Sequence, residues 1–128
     1  MSIFDKLFGG NKSEPLPDVY WNYLEDVAEL EAIEKESFEK PVAIFKHSIT
    51  CGISKMAWNQ FQKNYNILKD QMSLYYLDLL AYRSISNEIS SRFGVVHQSP
   101  QLIVIKDGKA IYHSSHENIN TNDLERFI

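Results

Sequence analysis

Cys51 is the residue of this sequence best suited to chemistry, and the chain contains no second cysteine. Thr50 precedes it, Gly52 follows it, and Ser54 lies three positions further on. A cysteine thiolate is the attacking species in thiol–disulfide exchange, and a hydroxyl three residues later on a helix can donate a hydrogen bond to it. We therefore predict that Cys51, Ser54 and Thr50 form a catalytic group.

The lone thiol cannot form an internal disulfide, so the sulfur with which it exchanges must belong to another molecule. The simpler alternative is that Cys51 is a small buried hydrophobe, since free cysteines are usually buried and inert. Its place just before a predicted helix favours reactivity, because the free N–H groups and the dipole at the start of a helix stabilise anions.

The elements that must position Cys51 follow from hydrophobic periodicity. Four strands are predicted, over residues 42–47, 74–80, 101–106 and 109–113, the last two joined by an Asp107-Gly108 hairpin turn. Helices are predicted over residues 20–38 and 52–65, from Ser84 or Ser86 to Phe93, and from Asn120, Thr121 or Asn122 to Ile128. Cys51 thus lies between a buried strand and the helix that follows it.

This order of elements predicts an α/β fold and is compatible with a thioredoxin-like one. Its sheet is mixed and four-stranded, with helices on both faces and an extra N-terminal helix. We assign residues 18–128 to this domain. Residues 1–17 are predicted to be a flexible N-terminal segment and linker, because Gly9 to Pro17 are rich in turn-forming residues.

Composition narrows the class of protein. The 128 residues suffice for one domain, and 44% of them are hydrophobic, which is typical of a globular chain. Thirteen basic against seventeen acidic residues give a net charge of −4, so no positive field attracts nucleic acid. Because no signal peptide or membrane-spanning stretch is recognisable, we expect a cytoplasmic protein without a membrane span.

Ser99 and Pro100 precede the predicted strand 101–106. Most X–Pro peptide bonds are trans, so the sequence alone favours an ordinary proline at the start of a strand. In a thioredoxin-like fold, a cis-proline at this place would face the cysteine and expose the preceding backbone to a substrate chain. We therefore assign Ser99 and Pro100 to substrate binding.

Three separated segments carry a resemblance to a known family. Residues 45–54 (FKHSITCGIS), 98–101 (QSPQ) and 114–119 (SSHENI) resemble the YtxJ-type monothiol bacilliredoxins, and the resemblance extends over residues 24–128. It implies a thioredoxin-like fold and a role in bacillithiol-linked thiol–disulfide exchange, with Cys51 as the reactive cysteine and Pro100 as the cis-proline. Gly52 departs from the proline of the typical T-C-P-I-S motif.

Two other functions stay open at this point. The C-G-I-S motif is close to the C-G-F-S of monothiol glutaredoxins, which carry iron–sulfur clusters with glutathione, and Lys46 lies near the place of their thiol-binding lysine. The glycine pair and aspartate with which those proteins hold glutathione are absent, however. A non-catalytic binding module of thioredoxin-like fold is the third possibility.

The resulting hypothesis is a monothiol exchange protein that uses Cys51 to remove bacillithiol, or a similar low-molecular-weight thiol, from protein mixed disulfides. Lys46, His47 and Gly52 flank the cysteine and are assigned to substrate binding. No tightly bound cofactor or metal is expected, because His113 and His116 alternate along a strand and should not share a face. The expected partners are bacillithiol as co-substrate, client proteins with mixed disulfides, and an unidentified regenerating reductant.

Overall fold

The computed structural model describes residues 19–128, so the predicted segment and linker over residues 1–17 lie outside the described residues. The strands are β1 (Asn22–Tyr23), β2 (Val42–His47), β3 (Ser73–Asp78), β4 (Gln101–Lys106) and β5 (Lys109–Ser115). The helices are α1 (Glu29–Glu36), α2 (Gly52–Asn64) and α3 (Arg83–Phe93), followed by a 3₁₀ turn (His116–Asn118) and a 3₁₀ helix (Thr121–Phe127). None of these helices is long and apolar enough to cross a membrane.

The strands form one mixed sheet in the order β1-β3-β2-β4-β5. Strand β2 pairs in parallel with β3 and antiparallel with β4, with Lys46 opposite both Leu77 and Gln101. The β4–β5 hairpin turns at Asp107 and Gly108, which both have positive φ, as the predicted turn requires. The mixed sheet and the bounds of β2 and β4 confirm the sequence-based prediction.

The beginning of the domain differs from the predicted four-stranded sheet and from the predicted helix over residues 20–38. Asn22 and Tyr23 instead form β1, a fifth strand parallel to β3, and α1 begins only at Glu29. The reason is that Trp21 and Leu24 are buried in core clusters on opposite faces of the sheet. Residues three apart alternate between faces in a strand but share one face of a helix.

Both faces of the sheet are covered, as predicted. On one face, Val42 and Ile44 pack with residues of α1 and α3, and on the other, Ala43 and Phe45 pack with Phe61 of α2. All six side chains of β2 are buried. The strand therefore has no solvent-facing side, and its two polar residues, Lys46 and His47, also project into the interior.

The hairpin turn generates a prediction for stability. Gly108 has a φ of +79°, and a Cβ added there would lie 3.0 Å from the ring of Phe38. We expect Gly108→Ala to lower the free energy of unfolding by about 1–2 kcal/mol, mostly through backbone strain, because the exposed Phe38 ring can move. Urea unfolding measures this change.

Gly52→Ala is the matched control, because a Cβ at Gly52 meets nothing within 4 Å and its backbone is not left-handed. Its stability should change by no more than about 0.5 kcal/mol. An equal loss of stability in both variants would show that turn geometry is not the cause.

Candidate active site

Cys51 lies where β2 has ended and α2 begins. It is the N-cap residue of α2, with an extended backbone (φ −102°, ψ 123°), and it is half-buried. Its N–H donates to the Ser48 carbonyl at 3.2 Å, and its own carbonyl accepts from the Lys55 N–H at 3.0 Å. The short loop from Ser48 to Cys51 is thus closed on itself, and it holds the thiol at the carboxyl end of the central strand.

Ser99 and Pro100 lie at the same end of the sheet. Gln101 opens β4 and pairs with Lys46 near the end of β2, so the residues just before Gln101 lie beside the loop that carries Cys51. The Ser99–Pro100 peptide bond is cis, Pro100 is buried and Ser99 is half-buried. The Pro100 carbonyl accepts from the His116 N–H at 3.1 Å, which ties this segment to the end of β5.

Ser54 lies three residues after the cysteine, but its hydroxyl is bound elsewhere. The side chain is fully buried, and its Oγ accepts from the Ser48 N–H at 3.0 Å and lies 2.6 Å from Nδ1 of His47. Within the described residues, these are its hydrogen bonds, and Cys51 makes no side-chain capping bond. The donor role of Ser54 toward the thiolate stays a prediction, whereas its role in holding the loop at Ser48 is visible directly.

His47 is buried between this hydroxyl and an aromatic group. Its ring stacks on Trp58 at 5.3 Å between centroids and lies 5.7 Å from the ring of Tyr76. Burial lowers the pKa of His47, the Asp78 carboxylate on the neighbouring strand opposes this shift, and Lys55 adds to it. His47 is only 4% exposed and contacts Ser54. Its role in substrate binding stays a prediction.

Lys46 projects to the opposite face of the sheet from His47. Its side chain is fully buried, and Nζ lies 3.2 Å from Nδ1 of His97, in the loop between α3 and β4. Burial lowers the pKa of Lys46 to about 8. No part of this side chain is exposed, and the role of Lys46 in substrate binding stays a prediction.

The remaining predicted residues surround the thiol. Thr50 and Gly52 are exposed on either side of Cys51, and the Thr50 Oγ1 lies 3.4 Å from Oγ of Ser48. His97 contacts the buried lysine and Ser86 contacts His97, and neither contact was predicted from the sequence. The signal that could have indicated such a contact is a lysine within a run of buried strand residues, because a buried cation needs a polar neighbour.

Comparisons with known proteins agree with this fold. A family model described as Monothiol bacilliredoxin BrxC matches residues 22–124. The chain belongs to the monothiol bacilliredoxin family. Among solved structures, this bacilliredoxin is similar to a putative oxidoreductase with a thioredoxin fold, at 31% identity and a TM-score of 0.70, over 83% of this chain and 91% of that one.

Two thioredoxins show the same fold at lower identity. One, from Malassezia sympodialis, is 16% identical with a TM-score of 0.64, over 91% of the bacilliredoxin and 94% of its own chain. The other, mitochondrial thioredoxin 3 from Saccharomyces cerevisiae, is 20% identical with a TM-score of 0.62, over 81% and 89%. The predicted family and thioredoxin-like fold are therefore confirmed, and the bacilliredoxin is a thiol redox protein.

The buried lysine predicts a pH-dependent stability. Between pH 8 and 10.5 the folded chain releases the Lys46 proton while the unfolded chain retains it, so the free energy of unfolding rises with pH. From pH 7.5 to 9.5 this gain should be about 2 kcal/mol. Urea unfolding at both pH values should show the gain in the wild type and its absence in Lys46→Met. Equal pH dependence of the two proteins would contradict the assignment.

The buried serine predicts a second effect on stability. Ser54→Ala leaves the Ser48 N–H and His47 without their partner, so the free energy of unfolding should fall by about 1–3 kcal/mol. Ser90→Ala is the matched control, because the Ser90 Oγ is buried without a hydrogen-bond partner among the described residues. The control should lose no more than about 0.5 kcal/mol. Similar losses in both variants would refute the supporting role of Ser54.

Proposed function

We propose that this bacilliredoxin removes a low-molecular-weight thiol, bacillithiol, from mixed disulfides on client proteins in the cytoplasm. The observation that carries the proposal is a single, half-buried cysteine at the N-cap of α2, in a chain of the monothiol bacilliredoxin family. Such a position favours reaction through the thiolate, because helix N-termini stabilise anions. The cis-proline segment at the same end of the sheet is the proposed surface for substrate.

The reaction is a thiol–disulfide exchange in which no net oxidation occurs. The Cys51 thiolate attacks the sulfur of the small thiol in the client's mixed disulfide, a new S–S bond joins Cys51 to the small thiol, and the client leaves as a thiolate. A second thiol, from a separate reductant, then attacks this adduct, releases the Cys51 thiolate and takes the small thiol into a new disulfide. Ser54 cannot perform this second step, because a hydroxyl is not a redox partner of sulfur.

The surroundings of Cys51 suit a substrate that includes a protein chain. Gly52 leaves open space beside the thiol, since a Cβ there would meet nothing within 4 Å. Ile49, Ile53 and Val96 are exposed near this end of the sheet and offer apolar contact area to a client. The backbone of Ser99 is the proposed pairing site for an extended client segment, and the Thr50 hydroxyl is a further polar contact.

The proposal is tested with a client protein carrying bacillithiol in mixed disulfide. Incubation with the reduced bacilliredoxin should release the reduced client and add one bacillithiol to Cys51, as measured by intact mass. Cys51→Ser should form no adduct and should leave the client modified. The same client carrying glutathione instead of bacillithiol tests which small thiol the protein prefers. Bacillithiol should be released faster than glutathione.

Two results would count against the proposal. If neither mixed disulfide transfers its small thiol to the wild-type protein, the exchange function is wrong. If glutathione is released faster than bacillithiol, exchange stands but the assignment of the small thiol fails.

A further inference from the structure

The buried ammonium of Lys46 has no negative partner within residues 19–128. Neither of the two ion pairs in this part of the chain includes it, and its hydrogen bond is to the uncharged ring of His97. A buried cation is costly unless an anion or several acceptors compensate it, and an ammonium carries three N–H donors. The Lys46 ammonium is therefore not paired with an anion among the described residues.

His97 contacts the buried Lys46 ammonium and is itself exposed at the surface. Its Nδ1 lies 3.2 Å from the Lys46 Nζ and 3.3 Å from the Ser86 Oγ, while the residue as a whole is exposed. Because an ammonium can only donate, Nδ1 acts as the acceptor, and the proton of the neutral ring belongs on Nε2. Partial burial of the ring and the charges of Lys46 and Arg83 lower the pKa of His97, which favours this neutral form.

His97 lies at the same end of the sheet as the residues proposed for the exchange reaction. It lies two residues before Ser99 in the loop that leads to the cis peptide bond, at the sheet end that also carries Cys51. The chain as a whole has a net charge of −4, so a positive site here is a local feature. Two cationic side chains, Lys46 and Arg83, lie close to the ring of His97.

We propose that His97, supported from beneath by Lys46, binds a carboxylate carried by the small-thiol portion of the disulfide that reacts with Cys51. This inference rests on the proposed exchange function and adds the chemical feature that the site recognises. His97 donates from Nε2 to the carboxylate. Lys46 is a positioning residue: it fixes the tautomer of His97, and its positive charge attracts the carboxylate without touching it. Arg83, exposed at the start of α3, adds to the positive field.

The experiment compares three small symmetrical disulfides of similar size: dithiodipropionate, which carries carboxylates, neutral hydroxyethyl disulfide, and cationic cystamine. The rate constant for adduct formation at Cys51 is measured for each by quenching and intact mass. In His97→Ala and in Lys46→Met, the rate ratio of dithiodipropionate to hydroxyethyl disulfide should fall roughly tenfold relative to wild type. The rate with hydroxyethyl disulfide should fall much less than the rate with dithiodipropionate, because a neutral substrate does not use the carboxylate site.

Two further variants sharpen the comparison. His97→Gln retains a side-chain N–H donor and should recover part of the preference for the carboxylate, which a purely structural role of His97 would not explain. His113→Ala is the matched control, because His113 is an exposed histidine in the middle of β5, opposite Ile103, and should keep the wild-type ratio.

The outcomes separate this inference from the proposed function. If the wild type reacts with all three disulfides and the ratio is unchanged in His97→Ala, carboxylate recognition is wrong while exchange stands. A uniform loss of rate with all three disulfides also overturns it, because damage to the fold would then be the cause. If Cys51 reacts with none of the disulfides, the exchange function itself fails. Should Lys46→Met not fold, His97→Ala and His97→Gln still decide the question.

Discussion

The complete burial of strand β2 is the constraint on which the arrangement around Cys51 depends. A strand covered on both faces has no solvent to hydrate its polar side chains, yet β2 ends in a lysine and a histidine. Because side chains alternate along a strand, these two project to opposite faces and need partners in different helices or loops. Lys46 meets His97 on one face, and His47 meets Ser54 on the other.

These two contacts hold the loops on either side of the thiol. The His47–Ser54 contact fixes the start of α2. The Ser54 hydroxyl also accepts from the Ser48 N–H, which fixes the loop that leads to Cys51. The Lys46–His97 contact fixes the loop that leads to Ser99 and Pro100. The residues that position the site are therefore neighbours in sequence, although the segments they hold are far apart in the chain.

Much of the fold is predictable from the sequence, because the strands that matter most have strong patterns. The uninterrupted apolar run of β4 and the Asp-Gly turn after it specify the hairpin without tertiary information. The start of the domain is not predictable in this way. Trp21 and Leu24 fit a helical spacing as well as a strand, and only the pairing of Asn22 with Tyr75 on β3 decides between them.

The reactive residue of the site is predictable from the sequence, whereas the contacts that hold the surrounding loops are not. Cys51 can be found because its residue type and its place before a helix both point to reactivity. The partners of Lys46 and His47 depend on which face of β2 each residue occupies and on which loop covers that face. The alternation of side chains along the strand gives the face of each residue, but local spacing does not show which loop covers that face. The contacts of Lys46 with His97 and of His47 with Ser54 are therefore not predictable from the sequence. His97 is about fifty positions from Lys46 along the chain, and no short-range pattern links them.

The burial of Ser54 has a consequence for the timing of the reaction. At the position where a dithiol protein would keep its second sulfur, this chain has a hydroxyl that is enclosed behind His47 and already engaged. In the proposed exchange, an adduct on Cys51 could therefore not be resolved within the molecule, and its lifetime would depend on collisions with an outside reductant. Turnover of such a protein would follow the supply of that reductant, and the loaded form would accumulate whenever the supply runs short.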